Sequence, residues 1–182
     1  MMFPTKLAIY DFDGTLFRSP TRPEGWNGAW WGNLESLTRP FVPDVPSVDW
    51  WNETVVERAK RDIANEYTLT ALVTARVKHR FTLRIRELLE QAGLKFDHVF
   101  LSPDEEESKK YKLRVLTTLM TDNPSVRNVD IWEDTEENIM VMSNYVEGRG
   151  RAAFPHLVTV SPHAPEIEYM AGRVAARFRG SL

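Results

Sequence analysis

Two aspartates, Asp11 and Asp13, follow a short apolar run near the start of the chain, in the sequence K-L-A-I-Y-D-F-D-G-T. Leu7–Tyr10 predicts a buried strand, because a continuous apolar run bounded by a turn is typical of a parallel sheet. Gly14 then permits a sharp turn without a Cβ penalty. Two neighbouring carboxylates repel each other, so one of them holds a proton or a cation lies between them. The chemistry that fits is phosphoryl transfer, in which one acid attacks phosphorus, the other handles the leaving-group proton and Mg²⁺ neutralises the phosphate oxygens.

A second polar site follows the next predicted strand, in the sequence L-V-T-A-R. Thr74 is expected just past the end of that strand, where a neutral hydroxyl can hold a phosphate oxygen during transfer. Arg76 has two equally good interpretations, since its guanidinium can contact substrate or pair with a nearby acid.

A second acidic pair, Glu133 and Asp134, ends the predicted strand Val129–Trp132. Acids at this edge of the sheet, beside Asp11, would complete a Mg²⁺ site made of oxygen ligands. The alternative is helix capping, with Asp134 or Thr135 at the N-cap. Both roles are compatible, because the cap and the metal lie on opposite sides of one turn.

The strands and helices that position these residues alternate along the chain, which predicts right-handed crossovers and a mainly parallel sheet. We therefore expect an α/β, Rossmann-like sheet of about five strands with helices on both faces, in a single domain over residues 1–182. Strands are predicted at Leu7–Tyr10, Tyr67–Val73, Phe96–Leu101, Val129–Trp132 and Leu157–Val160. Helices are predicted from about Asn52 to Glu66, from Phe81 to Ala92 before Gly93, and at Lys109–Met120, Thr135–Val146 and Glu166–Phe178.

Residues 18–52 differ in composition, because they hold five of the six tryptophans and five of the eleven prolines. Such a stretch is poor in regular structure. We interpret it as part of a cap or lid inserted at residues 18–66. Its tryptophans either pack in a core, which is the commoner role, or stack nucleobases, at about 1–3 kcal/mol for each base. Basic residues within Arg76–Arg86 and Lys109–Arg114 either follow a nucleic-acid backbone or lie on polar helix faces.

The bulk properties are those of a globular protein with 182 residues and a net charge of −3, which argues against general coating of nucleic acid. Cysteine is absent, so thiolate catalysis and cysteine-ligated metals are excluded. No apolar stretch approaches the ~20 residues of a membrane span, and no signal-peptide core is present. The expected location is cytoplasmic, without a membrane partner.

The motif D-F-D-G-T after an apolar strand resembles the nucleophile motif of the haloacid dehalogenase (HAD) superfamily, most of whose members are Mg²⁺-dependent phosphatases. T-A-R, S-K-K-Y-K and E-D-T-x-x-N are similar to its second, third and fourth motifs. The resemblance implies an aspartyl-phosphate on Asp11, with Asp13 as general acid and base. It places the catalytic lysine at Lys112, with Lys109 as second choice. The alternative is a solvated face opposite the acidic run Asp104–Glu107, which is the usual role of such a charge run.

The same resemblance implies a complete set of site residues. The expected catalytic residues are Asp11, Asp13, Thr74 and Lys112. The expected substrate contacts are Thr15, Arg76 and Lys109. The expected Mg²⁺ ligands are Asp11, Asp134 and the backbone carbonyl of Asp13, supported by Glu133 and Asn138.

The longer motif D-F-D-G-T-L-F-R-S-P, followed by Trp50 and Trp51, resembles the HAD domain of Swiss-army-knife RNA-repair proteins. The layout from Thr74 to Val160 is similar to the phosphatase half of polynucleotide kinase-phosphatases. These relatives imply removal of 3′-phosphates from nucleic-acid ends, or action on nucleotides. The alternatives are a phosphatase of small metabolites, such as sugar or nucleotide phosphates, and a non-catalytic HAD-like binding module. The oligomeric state stays open.

Overall fold

A computed structural model describes residues 3–163 of the chain, which form a five-stranded parallel sheet with the strand order β3-β2-β1-β4-β5. The strands are β1 Lys6–Tyr10, β2 Thr68–Val77, β3 His98–Ser102, β4 Asn128–Glu133 and β5 Ala152–Leu157. The helices are α1 Glu53–Ile63, α2 Lys78–Gln91, α3 Ser108–Asp122 and α4 Glu136–Gly148. The α/β prediction with about five parallel strands is confirmed.

The sheet is covered by helices on both faces, which explains why β1 is apolar at every position after Lys6. Ala8 and Tyr10 pack in the core that includes α1 and α2, whereas Leu7 and Ile9 pack in the core that includes α3 and α4. Successive side chains of a strand point to opposite faces, so a strand with both faces buried loses the usual polar alternation. The short run Leu7–Tyr10 is therefore sufficient to identify the central strand.

The strand order places the two acidic pairs side by side. β1 lies between β2 and β4, and Tyr10 is in register with Trp132. The Asp11 N–H donates to the Trp132 carbonyl over 2.9 Å, so Asp11 and Glu133 leave the sheet at the same edge. The crossover direction reverses between β1 and β4, and ligands of open α/β sheets bind in the crevice outside such a reversal.

Residues 18–52, which we call the connecting segment, contain only two short 3₁₀ turns, Leu34–Leu37 and Val48–Trp50. Aromatic packing holds this segment together. Trp30 lies edge-on to Phe41 with ring centroids 4.9 Å apart, and Trp51 lies edge-on to Phe17 at the same distance. These tryptophans are buried, so their role is packing.

Arginines from α2 and the end of β2 fasten the connecting segment to the sheet. The buried Arg84 donates to the carbonyls of Leu37 over 2.8 Å, Asp44 over 3.0 Å and Pro43 over 2.7 Å. Segment carbonyls that would otherwise lack partners are thus satisfied by a guanidinium with several donors. Arg84 is consequently a structural residue and is not free to follow a nucleic-acid backbone.

Most element boundaries differ from the predictions by one to three residues, and the differences at the last strand, β2 and α1 have structural reasons or consequences. The last strand is Ala152–Leu157, not Leu157–Val160, because it is an edge strand with mostly exposed side chains and a proline, which only edges tolerate. β2 continues to Val77 through an irregularity after Thr74, so Thr74 lies within the strand. α1 is shorter than predicted and ends at Ile63. The predicted helix Glu166–Phe178 lies outside the described residues.

Across residues 3–163, no helix combines the length and the apolar character that a bilayer crossing requires.

Candidate active site

Asp11 is the buried centre of the site. Its side chain accepts a hydrogen bond from the Lys112 ammonium over 2.7 Å and from the Thr15 hydroxyl over 3.3 Å. Burial and the Glu133 carboxylate raise the pKa of Asp11 well above its usual value, and the Lys112 charge offsets only part of that effect. A buried carboxylate held by a lysine and a threonine is fixed in direction, which suits a nucleophile.

The turn after Asp11 depends on Gly14. Its φ of +71° lies in the left-handed region, and a Cβ at this position would stand 2.3 Å from Asp134 Oδ2. The Asp134 carboxylate therefore occupies the space that any other side chain at residue 14 would fill. The glycine of D-F-D-G-T is needed both for the turn and for the approach of β4.

Three carboxylates converge at this edge of the sheet. Asp11, Glu133 and Asp134 each offer an oxygen, and these oxygens lie within 4.8 Å of one another. Asp134 is the exposed member of the cluster, and partial desolvation of its carboxylate together with the Glu133 charge raises its pKa to about 6. Hard divalent cations prefer oxygen ligands of this kind, and a cation would relieve the repulsion. The residues present thus fit Mg²⁺, with Glu133 lying in the cluster itself.

Lys112 is the cation that the chain itself supplies to this cluster. The residue is 3% exposed, and its ammonium bonds both Asp11 and Glu133. Burial would lower the pKa of Lys112, but the charges of these two acids outweigh it and raise the pKa, so the side chain is charged. Lys109, by contrast, pairs with Glu107 over 2.8 Å and with Glu137 over 2.6 Å, away from the cluster.

Glu133 is oriented by the start of the following helix. Its Oε1 accepts hydrogen bonds from the Asn138 amide over 3.1 Å and from the Thr135 N–H over 3.3 Å. Asn138 thus supports Glu133 through direct contact. Thr135 is the N-cap of α4, and its own side chain makes no capping bond. Asp134 is not used as the N-cap residue, so its carboxylate is available to the cluster.

Asp13 points to a different partner. Its two oxygens accept hydrogen bonds from Arg76 over 2.9 and 2.7 Å and from the Ser19 hydroxyl over 2.6 Å. Burial would raise the pKa of Asp13, but the Arg76 charge and hydrogen bonds outweigh it and lower the pKa. The structure therefore agrees with the second interpretation of Arg76, in which its guanidinium pairs with an acid. Ser19 was not singled out in the sequence, where a serine between arginine and proline carries no distinguishing signal.

Thr74 completes the set from the neighbouring strand β2. Its side chain is buried, and its hydroxyl oxygen accepts a hydrogen bond from the Arg76 N–H over 3.2 Å. The strand irregularity that follows Thr74 turns the chain so that Thr74 and Arg76 both face the cavity.

A cavity of about 700 Å³ opens over these residues. Its lining includes the acids, Thr74 and Lys112, together with residues of the connecting segment and residues 160 and 162. Lys109 does not line the cavity. Eight of the predicted site residues lie around this one cavity, namely Asp11, Asp13, Thr74, Arg76, Lys112, Glu133, Asp134 and Asn138. Thr15 does not line it but is hydrogen-bonded to Asp11.

Comparison with solved structures shows the same fold in two proteins. A chain in the structure of the Pnkp1/Rnl/Hen1 RNA repair complex matches with a TM-score of 0.56 and 15% identity, over 86% of this chain and 43% of that one. The HAD domain of effector protein Lem4 from Legionella pneumophila matches with a TM-score of 0.54 and 12% identity, over 96% of this chain and 95% of that one. The α/β fold is HAD-like.

Sequence comparison points to the same superfamily. Uncharacterized protein YMR265C of Saccharomyces cerevisiae is 26% identical, over 78% of this chain and 37% of that protein. The chain thus spans less than half the length of the yeast protein and of the RNA-repair chain. Residues 15–175 match HAD domain family 1 in Swiss Army Knife RNA repair proteins. The match extends over most of the sequence, and the chain belongs to this family of HAD domains.

Proposed function

We propose that this domain is a Mg²⁺-dependent phosphomonoesterase that acts through an aspartyl-phosphate on Asp11. The single observation that carries the proposal is the position of the Asp11 carboxylate. It is buried, it is held 2.7 Å from the Lys112 ammonium, and it shares a cation-sized cluster with Glu133 and Asp134. A binding module has no need of a buried nucleophile with this surrounding.

The proposed reaction has two halves. In the first, an Asp11 oxygen forms a bond to phosphorus as the bond between phosphorus and the leaving oxygen breaks, and Asp13 gives that oxygen a proton. In the second, Asp13 takes a proton from water, the water oxygen bonds to phosphorus, and Asp11 and inorganic phosphate are released. Because the pKa of Asp13 is lowered, its carboxylate is ionised and can accept the proton in the second half. The first half requires a protonated Asp13, so we expect substrate binding to weaken its contact with Arg76.

The other residues act on charge and orientation. Lys112 offsets the negative charge of the phosphoryl group and of Asp11, and Thr74 donates its hydroxyl to a phosphate oxygen. Thr15 fixes the Asp11 carboxylate through its 3.3 Å hydrogen bond. Bound Mg²⁺ would be held by Asp11, Asp134 and the Asp13 backbone carbonyl, with Glu133 beside them, and would neutralise phosphate oxygens as a Lewis acid.

The proposed substrates are 3′-phosphorylated nucleic-acid ends or nucleotides. Two findings support this choice: membership of a family found in RNA repair proteins, and a fold shared with a chain of an RNA repair complex. Small sugar phosphates are the competing class. A cavity of about 700 Å³ accommodates either, so the choice depends on measurement.

A phosphate-release panel tests the proposal. The protein is incubated with Mg²⁺ and with 3′- and 5′-phosphorylated DNA and RNA oligonucleotides, mononucleotides and sugar phosphates. The Asp11→Asn variant and chelation by EDTA serve as controls. We expect release from wild-type protein only with Mg²⁺, and fastest from 3′-phosphorylated ends.

Each outcome of the panel is decisive. Equal rates on oligonucleotide ends and mononucleotides would reject nucleic-acid ends as the specific substrate. They would still support phosphatase activity. A preference for sugar phosphates would assign the domain to small metabolites. Absence of release from every compound, with Mg²⁺-dependent binding of phosphorylated ends, would instead favour the non-catalytic module.

A further inference from the structure

The tryptophans of the connecting segment are not equivalent. Four of the five are buried, with exposures of 2–8%, whereas Trp31 is 49% exposed and lines the cavity beside Arg76. Burying an indole is strongly favourable, so a half-exposed one in a pocket wall is a surface available for contact. We propose that the Trp31 ring stacks on the nucleobase that adjoins the phosphate of the substrate. This inference rests on the proposed function and specifies the substrate as one that carries an aromatic base.

The backbone of Trp31 is fixed before any ligand binds. Its carbonyl accepts a hydrogen bond from Arg76 Nη1 over 3.0 Å, and the carbonyl of Gly32 accepts one from Arg80 Nη1 over 2.9 Å. Arg80 is itself paired with Glu105 over 2.9 Å. Because two guanidinium groups hold the backbone that carries the Trp31 ring, the ring loses little conformational freedom when a base stacks on it. Preorganisation of this kind raises affinity.

Arg76 connects Trp31 to the reacting acids. One planar guanidinium, that of Arg76, bonds both the Asp13 carboxylate and the Trp31 carbonyl. Trp31 and Asp13 are therefore joined through one side chain, and both line the same cavity. The Arg76 Cζ lies 5.2 Å from the Trp31 ring centroid, and the positive charge against the indole adds to its attraction for an electron-rich base.

The test compares two substrates that differ only in the base. A 3′-phosphorylated oligonucleotide is paired with the same oligonucleotide whose 3′-terminal nucleotide is abasic. For Trp31→Ala we expect kcat/KM on the base-bearing end to fall by about 5- to 150-fold, the equivalent of one stacked base, mainly through KM. The abasic end should lose far less, and Trp31→Phe should retain most of the preference.

Tyr67→Ala is the matched control. Tyr67 is an aromatic residue of similar exposure, 47%, and it precedes β2 at the opposite edge of the sheet. This variant should leave the preference for the base-bearing end unchanged. A fall common to all aromatic-to-alanine variants would indicate a general loss of folded protein.

Binding measurements separate this inference from the proposed function. Calorimetry on Asp11→Asn, with and without the additional change Trp31→Ala, gives the affinity for both oligonucleotides without turnover. A weaker affinity for the base-bearing end alone supports stacking even if no phosphate is ever released. Equal losses on both oligonucleotides, or no loss on either, would overturn the inference, and wild-type phosphate release from the abasic end would show the phosphatase intact.

Discussion

The Lys112 ammonium lies 2.7 Å from the Asp11 carboxylate, although 101 residues separate the two in the sequence. The same ammonium also bonds Glu133, so one buried positive charge serves two buried negative ones. Neither acid can stay ionised at low cost without this partner. Lys112 thus links α3 to the carboxyl ends of β1 and β4.

Replacement of Lys112 by methionine should destabilise the fold by ~3–5 kcal/mol, because it leaves Asp11 and Glu133 buried without their partner. Denaturant unfolding measures the change. Mg²⁺ should restore part of the loss in this variant, since a bound cation replaces the missing charge. Lys110→Met on the exposed side of the same helix is the control and should change stability by less than about 1 kcal/mol. Equal effects of the two substitutions would contradict the role given to Lys112.

Asp11→Asn should abolish turnover, with a loss of at least about 10³-fold in kcat, and should leave the fold intact. The amide has the same shape as the carboxylate, and Lys112 keeps its bond to Glu133, so the substitution should cost the fold little. Phosphate release and the thermal unfolding midpoint are measured together. A variant that keeps the wild-type rate would refute covalent catalysis at Asp11.

Gly14→Ala should impair Mg²⁺ binding, because its Cβ would stand 2.3 Å from Asp134 Oδ2 and would displace that carboxylate. Gly93→Ala separates the two effects of the substitution. Its φ of +68° is similar, but nothing lies within 4 Å of its Cβ position, so it has only the backbone cost of ~1–2 kcal/mol. Calorimetric titration with Mg²⁺ should show weakened binding in Gly14→Ala and normal binding in Gly93→Ala. Normal binding in both variants would remove Asp134 from the metal site.

Asp62 in α1 should give the fold a stability that depends on pH. Its buried carboxylate accepts hydrogen bonds from the Tyr10 hydroxyl over 2.6 Å, Lys6 over 3.0 Å and Arg58 over 3.1 Å. Burial opposes the ionised form, but these three donors outweigh it and lower the pKa of Asp62. The carboxylate therefore stabilises the folded state above its unfolded pKa of about 3.9, and this contribution disappears as pH falls through the lower folded pKa.

The substitution Asp62→Asn makes this contribution measurable. At pH 7 it should cost ~1.5–3 kcal/mol of unfolding free energy, since hydrogen bonds to a charged group are lost. The difference from wild type should shrink below pH 4 as wild-type Asp62 becomes protonated. A difference that is constant from pH 7 to pH 3 would show that the ionisation of Asp62 contributes nothing.

The features that the sequence predicted well are local. The apolar run Leu7–Tyr10, the turn at Gly14 and the acids at strand ends follow from neighbouring residues, so the sheet and its ligand edge were predictable. The strand Ala152–Leu157 was not, because its exposed edge position leaves no apolar pattern and Pro155 argues against a strand. The apolar residues after it, which suggested a strand, include Val158, which instead packs in the core.

Long-range pairings explain what was missed in the site. Sequence gives no reason for Arg76 to bond Asp13 and the Trp31 carbonyl at once, since the three residues come from different parts of the chain. Likewise, Glu133 was expected to support the metal site from outside. Its oxygen lies in the acidic cluster itself because the register of β4 beside β1 places Glu133 next to Asp11. The distinction between Trp31 and the buried tryptophans depends on exposure, which composition does not encode.

The most direct measurement is the intact mass of the Asp13→Asn variant after mixing with Mg²⁺ and the best substrate of the panel. The variant lacks the acid of the first half, so the aspartyl-phosphate should form slowly. It also lacks the base of the second half, so the aspartyl-phosphate should persist and the protein should gain the mass of one phosphoryl group. Peptide fragmentation should place that group on Asp11. Continued turnover of the wild-type protein with no phosphorylated species in either protein, or a phosphoryl group on another residue, would contradict the mechanism.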